Sequence, residues 1–206
     1  MGSKLVNIYK DYIDREFKNE TIKKFVNAVL EKADDANAEN PASSSGKYHP
    51  ISDMGPGGNV RHSILVAEIA KVMMRAYLMY DDENNRELMV ASAILHDVCK
   101  YNSNDTSHTQ FEHPVLAAKL ISDVGYDLSK ENTDYVNIAF VISTNVSTHM
   151  GRWNTSKYSK EELPQPTDLS QKLLHLADLV SANKELPNTI KIFTDTALEE
   201  IKGGEQ

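Results

Sequence analysis

Apolar residues recur at spacings of three and four along most of the chain, whereas strict alternation and hairpin-type turn pairs are scarce. The pattern predicts an all-α protein, a bundle of helices. A first helix is expected over residues 6 to 33, burying Ile8, Tyr12, Phe17, Ile22, Phe25, Val26 and Val29. Residues 34 to 46, DDANAENPASSSG, have the acidic, small and polar composition of a solvated linker or surface loop. After the turn-rich YHPISDMGPGG, a helix over residues 60 to 79 places Leu65, Ile69, Val72, Met73, Ala76 and Tyr80 on one stripe.

The next expected helix, residues 86 to 98, is apolar on nearly every side between Leu88 and Leu95, which marks it as central. It ends in His96 and Asp97. Pro114 suits the first turn of a helix over residues 114 to 123, with His113 at its entrance and Gly125 as its stop. A helix over residues 132 to 147 leads to His149, the last core helix covers residues 168 to 183, and residues 188 to 202 read as one more amphipathic helix. The expected organisation is an N-terminal helix and polar linker (1–46), a main domain (47–187), and a C-terminal helix with a tail (188–206).

With 206 residues, 40% of them hydrophobic, the chain can bury a substantial core. It has no apolar run of the roughly 18 residues that a membrane-spanning helix needs, and its first residues are too charged for a secretory signal. A cytoplasmic protein without a membrane partner is expected. Cys99 is the only cysteine, which excludes an internal disulfide and a thiolate-based zinc cluster within one chain. Any metal must therefore rest on nitrogen and oxygen. The net charge of -8 argues against long duplex DNA as a partner, although a locally basic cleft could take a nucleotide or a short strand.

Candidate chemistry gathers at the helix ends. Burying an ionised carboxylate without a partner costs several kcal/mol or more, yet Asp97 closes the most apolar helix and Asp178 sits within LLHLADLV. A shared divalent cation would satisfy both. His62, His96, His113 and His149 fall at or near predicted helix ends, where imidazoles from different helices can converge on an ion. His175 is open between orienting Asp178, touching substrate and a hydrogen-bonded core position. His108 lies in a polar loop, Cys99 reads as a packing residue, and the GPGG stretch lacks the Lys-Ser or Lys-Thr of a P-loop.

The ordered set His62, His96-Asp97 and Asp178 resembles the signature of the HD superfamily of metal-dependent phosphohydrolases, whose fold is an all-α bundle. GPGGNVRHS, ILHDVCK and LLHLADLVSANK are each similar to one of its elements. EHP at residues 112 to 114 and STHMGRW at 147 to 153 resemble the two-metal branch that includes bacterial 3′-to-5′ exoribonucleases. The resemblance implies one ion held by His62, His96, Asp97 and Asp178, and another by Asp97, His113 and His149. Two features depart from the exoribonucleases: the 206 residues leave no room for their nucleic-acid-binding domain, and Met150 stands where they carry a second histidine.

Two ions about 3.5 to 4 Å apart can ionise a water near neutral pH and neutralise charge on a phosphate. In that scheme Asp97 and Lys100 are the catalytic residues, Lys100 adding positive charge at the phosphate. Arg152, Trp153, Tyr101 and His49 are the expected substrate contacts, with Trp153 and Tyr101 stacking on a base. Gly55, Gly57 and Gly58 are expected as pocket wall or as backbone donors to phosphate. The ligand set suits manganese, iron, cobalt, nickel, magnesium or zinc. The expected activity is hydrolysis of phosphate esters of nucleotides or short oligonucleotides. A nucleoside mono- or triphosphate phosphohydrolase, and a nucleotide sensor without turnover, stay open as alternatives.

Overall fold

The computed structural model of the chain describes residues 3–47, 49–76, 82–157 and 159–184. Met79, Tyr80 and the helix expected at residues 188 to 202 lie outside the described residues. Among those described there are eight α-helices, one short 3-10 turn and no strand, so the expected all-α bundle is the architecture found. No helix among them is long and apolar enough to cross a membrane.

The expected single helix over residues 6 to 33 is two helices, α1 (Lys4–Glu16) and α2 (Glu20–Lys32). The break follows from hydrogen-bond accounting. Phe17 is extended, and Asn19 caps α2 by accepting from the Thr21 and Ile22 N–H groups. The N–H groups of Lys18 and Asn19 are answered by the buried carboxylate of Glu87, at 2.8 and 3.1 Å. A carboxylate at the start of a helix also meets the positive end of its dipole. Ile8 is 49% exposed, against expectation, while Tyr12, Phe17, Ile22, Phe25, Val26 and Val29 are buried and share one core with the later helices.

Residues 34 to 46, expected as a solvated linker or surface loop, are exposed only in part, at Glu39, Ser44 and Ser45. They carry the short α3 (Ala36–Glu39) and bury Ala36, Asn37, Ala38 and Ala42. The Asn37 side chain explains the burial: its amide brackets the backbone of Tyr101, accepting from the N–H at 2.8 Å and donating to the carbonyl at 3.0 Å. Composition could not disclose that partner, which lies 64 residues away.

The 3-10 turn Ile51–Asp53 precedes α4 (Gly58–Ala76), which packs on α5 (Glu83–Leu95) and on α8 (Leu169–Ser181). The buried face of α4 runs through Val66, Ala67, Ala70 and Met74; Ile69 is buried as expected, but Val72 is 59% exposed and Ala76 is exposed. Leu65 and Met73, also on the expected stripe, are partly buried against the same core. Helix α5 is the central element, with Met89 to Leu95 buried throughout. Helix α8 starts with a capping box between Asp168 and Gln171.

Pro114 sits in the first turn of α6 (His113–Leu128), but Gly125 does not stop that helix. A Cβ at Gly125 would lie 2.3 Å from Ala139 Cβ in α7 (Asp134–Ser147), so this glycine marks the close approach of the two helices. We expect Gly125→Ala to force α6 and α7 apart and to cost about 1–3 kcal/mol in chemical denaturation. Unchanged stability would mean the crossing is looser than this geometry.

Candidate metal centre

Four helix ends deliver the imidazoles. His62 rises from the first turns of α4, His96 caps α5, His113 opens α6, and His149 follows α7. Three of the four repeat one local device: Nδ1 of His96, His113 and His149 lies 2.7, 2.6 and 2.7 Å from the carbonyl three residues earlier, on Ala93, Gln110 and Val146. A carbonyl only accepts, so each Nδ1 carries a proton, and in the neutral ring Nε2 is left with a lone pair. Ala93 and Val146 lie in the last turns of α5 and α7, where carbonyls lack a helical partner, and Gln110 lies in the loop just before α6.

Asp97 faces imidazole Nε2 atoms on two sides. Its Oδ2 lies 3.3 Å from His96 Nε2 and 3.8 Å from His62 Nε2; its Oδ1 lies 3.0 Å from His113 Nε2 and 3.7 Å from His149 Nε2. Asp178 faces the first pair only, with Oδ1 at 3.0 Å from His62 Nε2 and 3.9 Å from His96 Nε2. Despite these distances, His62 Nε2, His96 Nε2 and Asp97 Oδ1 are buried without a hydrogen-bond partner among the described residues. The Nε2 atoms of His113 and His149 are 3.1 Å apart, and with both Nδ1 protons anchored on carbonyls their lone pairs oppose each other. A divalent cation in front of them would take up both lone pairs at once.

The charge balance is consistent with this geometry. Burial pushes the Asp97 carboxyl up, but His96 and Lys100 outweigh it and hold it well below the usual carboxylate range. Burial likewise opposes ionisation of Asp178, and His62 and His96 pull it far down. His149, buried and faced by His96 and His113, is depressed to about 3 and is therefore neutral at pH 7. His96 is raised: burial works against its charge, yet Asp97 and Asp178 prevail. Groups of three among these side chains, His62-His96-Asp178 and His96-Asp97-His149, each bring their ligand atoms within 4.8 Å of one another, as a metal site requires. Nitrogen and carboxylate donors of this kind fit a divalent ion.

Lys100 Nζ lies 2.6 Å from Asp97 Oδ2, at the edge of the centre. Arg152 and Trp153 occupy the loop after α7, with the guanidinium 4.5 Å from the indole centroid and Trp153 44% exposed. His49 is half-buried and meets the His62 ring edge-on at 4.8 Å. Tyr101 departs from expectation. Its ring is fully buried and its backbone is bracketed by Asn37, so it has no face to offer a base. The glycine loop is also engaged internally: the N–H groups of Gly57 and Gly58 donate to Glu39 and Gly55 carbonyls, and a Cβ at Gly58 would lie 1.9 Å from Asp53 O. Their backbone is wall, with no donors turned to phosphate. His108 is exposed, and Cys99 is half-buried with its thiol pushed up to about 11 by burial.

His175 resolves as a support for His149, donating Nδ1–H to its carbonyl at 2.7 Å. Gly151, at φ +55°, lets the loop fold onto that ring; a Cβ there would meet His175 atoms at 2.3 to 2.6 Å. Asp53, Asn59 and Ser181 escaped the sequence reading. Asn59 Nδ2 donates to the Asp97 carbonyl at 3.3 Å, and Ser181 Oγ lies 3.2 Å from His62 Nδ1. The spacing of Asn59 three residues before His62 was the one available signal; Asp53, in a turn-rich stretch, had none.

A helical bundle whose helix ends gather histidines around two carboxylates is the build of a metal-dependent hydrolase. The chain belongs to the HD domain family, whose model matches residues 59–183, more than half of its length. That family is one of metal-dependent phosphohydrolases, and its domains bind divalent metals. No curated protein and no solved structure matches the chain.

We expect Gly151→Ala to cost about 1–3 kcal/mol, because the new methyl displaces the His175 ring. In a His175→Ala background the same change should cost clearly less; a double-mutant cycle by denaturation measures the difference, and additive effects would show that the two residues do not press on each other.

Proposed function

We propose that this chain hydrolyses phosphate esters of nucleotides or short oligonucleotides, using two divalent ions. His62, His96, Asp97 and Asp178 would hold one ion; Asp97, His113 and His149 would hold the other. The observation that carries this reading is the division of Asp97: Oδ2 faces His62 and His96 while Oδ1 faces His113 and His149, as a carboxylate bridging two ions would. Divalent ions held there would contribute Lewis acidity toward phosphate oxygens and lower the pKa of a nucleophilic water.

The chain's own groups do the rest. The carbonyl-anchored Nδ1 protons of His96, His113 and His149 fix each ring, so no reorientation is needed as charge develops. Lys100 sets a positive charge beside Asp97 that can also face the phosphate. Arg152 over Trp153 offers a cation and an aromatic face on the exposed loop, matched to the phosphate and base of a nucleotide. His49 lies next to His62, its ring edge-on to the imidazole, as a further substrate contact. The net charge of -8 supports a small substrate gathered locally over a long duplex.

The test is turnover by manganese-loaded protein across nucleoside mono- and triphosphates, cyclic dinucleotides and short RNA or DNA. Release of nucleoside monophosphate is expected from the oligonucleotides or cyclic dinucleotides; phosphate or pyrophosphate release from mononucleotides would make the chain a nucleotidase instead. Asp97→Ala should lose bound metal and at least about 10²-fold of the activity while keeping its helical circular dichroism. Retention of two ions per chain by that variant would sink the bridging role.

A further inference from the structure

His62 differs from the other three histidines in what holds its far nitrogen. Its Nδ1 has no carbonyl three residues back; it lies 3.2 Å from Ser181 Oγ, whose own proton goes to the Asp178 carbonyl at 2.7 Å, and 3.8 Å from Asp53 Oδ2. A hydroxyl at that distance is a weaker acceptor than the 2.6 to 2.7 Å carbonyls that anchor His96, His113 and His149.

Asp53 is 2% exposed, and its Oδ2 has no hydrogen-bond partner among the described residues; Oδ1 accepts from the Ser52 hydroxyl at 3.2 Å. Such a carboxylate is a cost to the fold unless a donor reaches it. Its placement is nevertheless tightly held. Arg61 binds the carbonyls of Ser52, Met54 and Pro56 at 2.7, 3.1 and 2.9 Å, and the Ala42 N–H donates to the Asp53 carbonyl at 3.0 Å. His49, whose Nδ1 is buried without a hydrogen-bond partner among the described residues, packs edge-on against the His62 ring at 4.8 Å.

We propose that Asp53 is the positioning residue of His62: with a divalent ion on Nε2, the ring donates its Nδ1–H to Asp53 Oδ2, and the carboxylate balances the charge drawn through the imidazole. The assignment rests on the metal-centre reading above. It makes His62 a ligand backed by a full negative charge, where its three counterparts are backed by neutral carbonyls. It also gives a reason for a buried carboxylate that the metal-free fold leaves unsatisfied.

The consequence is a pair of effects of opposite sign. Asp53→Asn removes the charge at nearly constant volume, so the metal-free variant should melt at or above the wild-type temperature. Its dissociation constant for Mn2+, by calorimetric titration, should rise about 10- to 100-fold, and Asp53→Ala should weaken binding at least as much. Ser181→Ala should stay much closer to wild type. A metal-free Asp53→Asn protein that melts below wild type would make the carboxylate structural and overturn the proposal. So would unchanged Mn2+ affinity in both Asp53 variants, or a loss confined to Ser181→Ala. Wild-type protein that takes up no Mn2+ would remove the metal centre itself, and this assignment with it.

Discussion

The structure turns on one buried carboxylate. Asp97 is 1% exposed at the end of the most apolar helix, and it is tolerable there only because each of its oxygens faces positive charge or a metal-ready nitrogen. An ion pair with Lys100 meets one oxygen, and among the described residues the other faces the imidazoles of His113 and His149 without a hydrogen bond. That asymmetry defines what the centre can hold: a cation shared among nitrogens and carboxylates that are otherwise repelled by one another.

Rigidity around that point comes from short-range geometry used repeatedly. Three histidines bind the carbonyl three residues before them, which settles the tautomer and turns Nε2 inward without help from distant side chains. Longer-range support comes from Asn59 under the Asp97 carbonyl and His175 under the His149 carbonyl. The ligands are thus held through their backbone as well as through their rings, the condition for a centre that does not reorganise as charge moves.

The flanking segments belong to the same construction. Glu87 reaches across from α5 to cap the start of α2, and Asn37 grips the backbone of Tyr101 just after Lys100. Both are buried polar side chains whose partners lie more than 60 residues away in sequence. Through them the N-terminal helices and α3 brace the turn that carries His96 and Asp97, and the one core cluster runs through α1, α2 and the later helices alike.

What the chain's linear order determined by itself was the helical class, the centrality of α5, and the gathering of His62, His96, Asp97, His113, His149 and Asp178; each follows from periodicity, from an acid placed among apolar residues, or from the HD resemblance. Apolar spacing is a local property, so it survives without coordinates. What only the tertiary structure decided depends on partners far apart in sequence. The break at residues 17 to 19 needs Glu87, the burial of Asn37 needs Tyr101, and Gly125 reads as a stop until Ala139 is seen against it. The same reason separates Trp153, left accessible on its loop, from Tyr101, an equally plausible aromatic that the Asn37 amide seals inside.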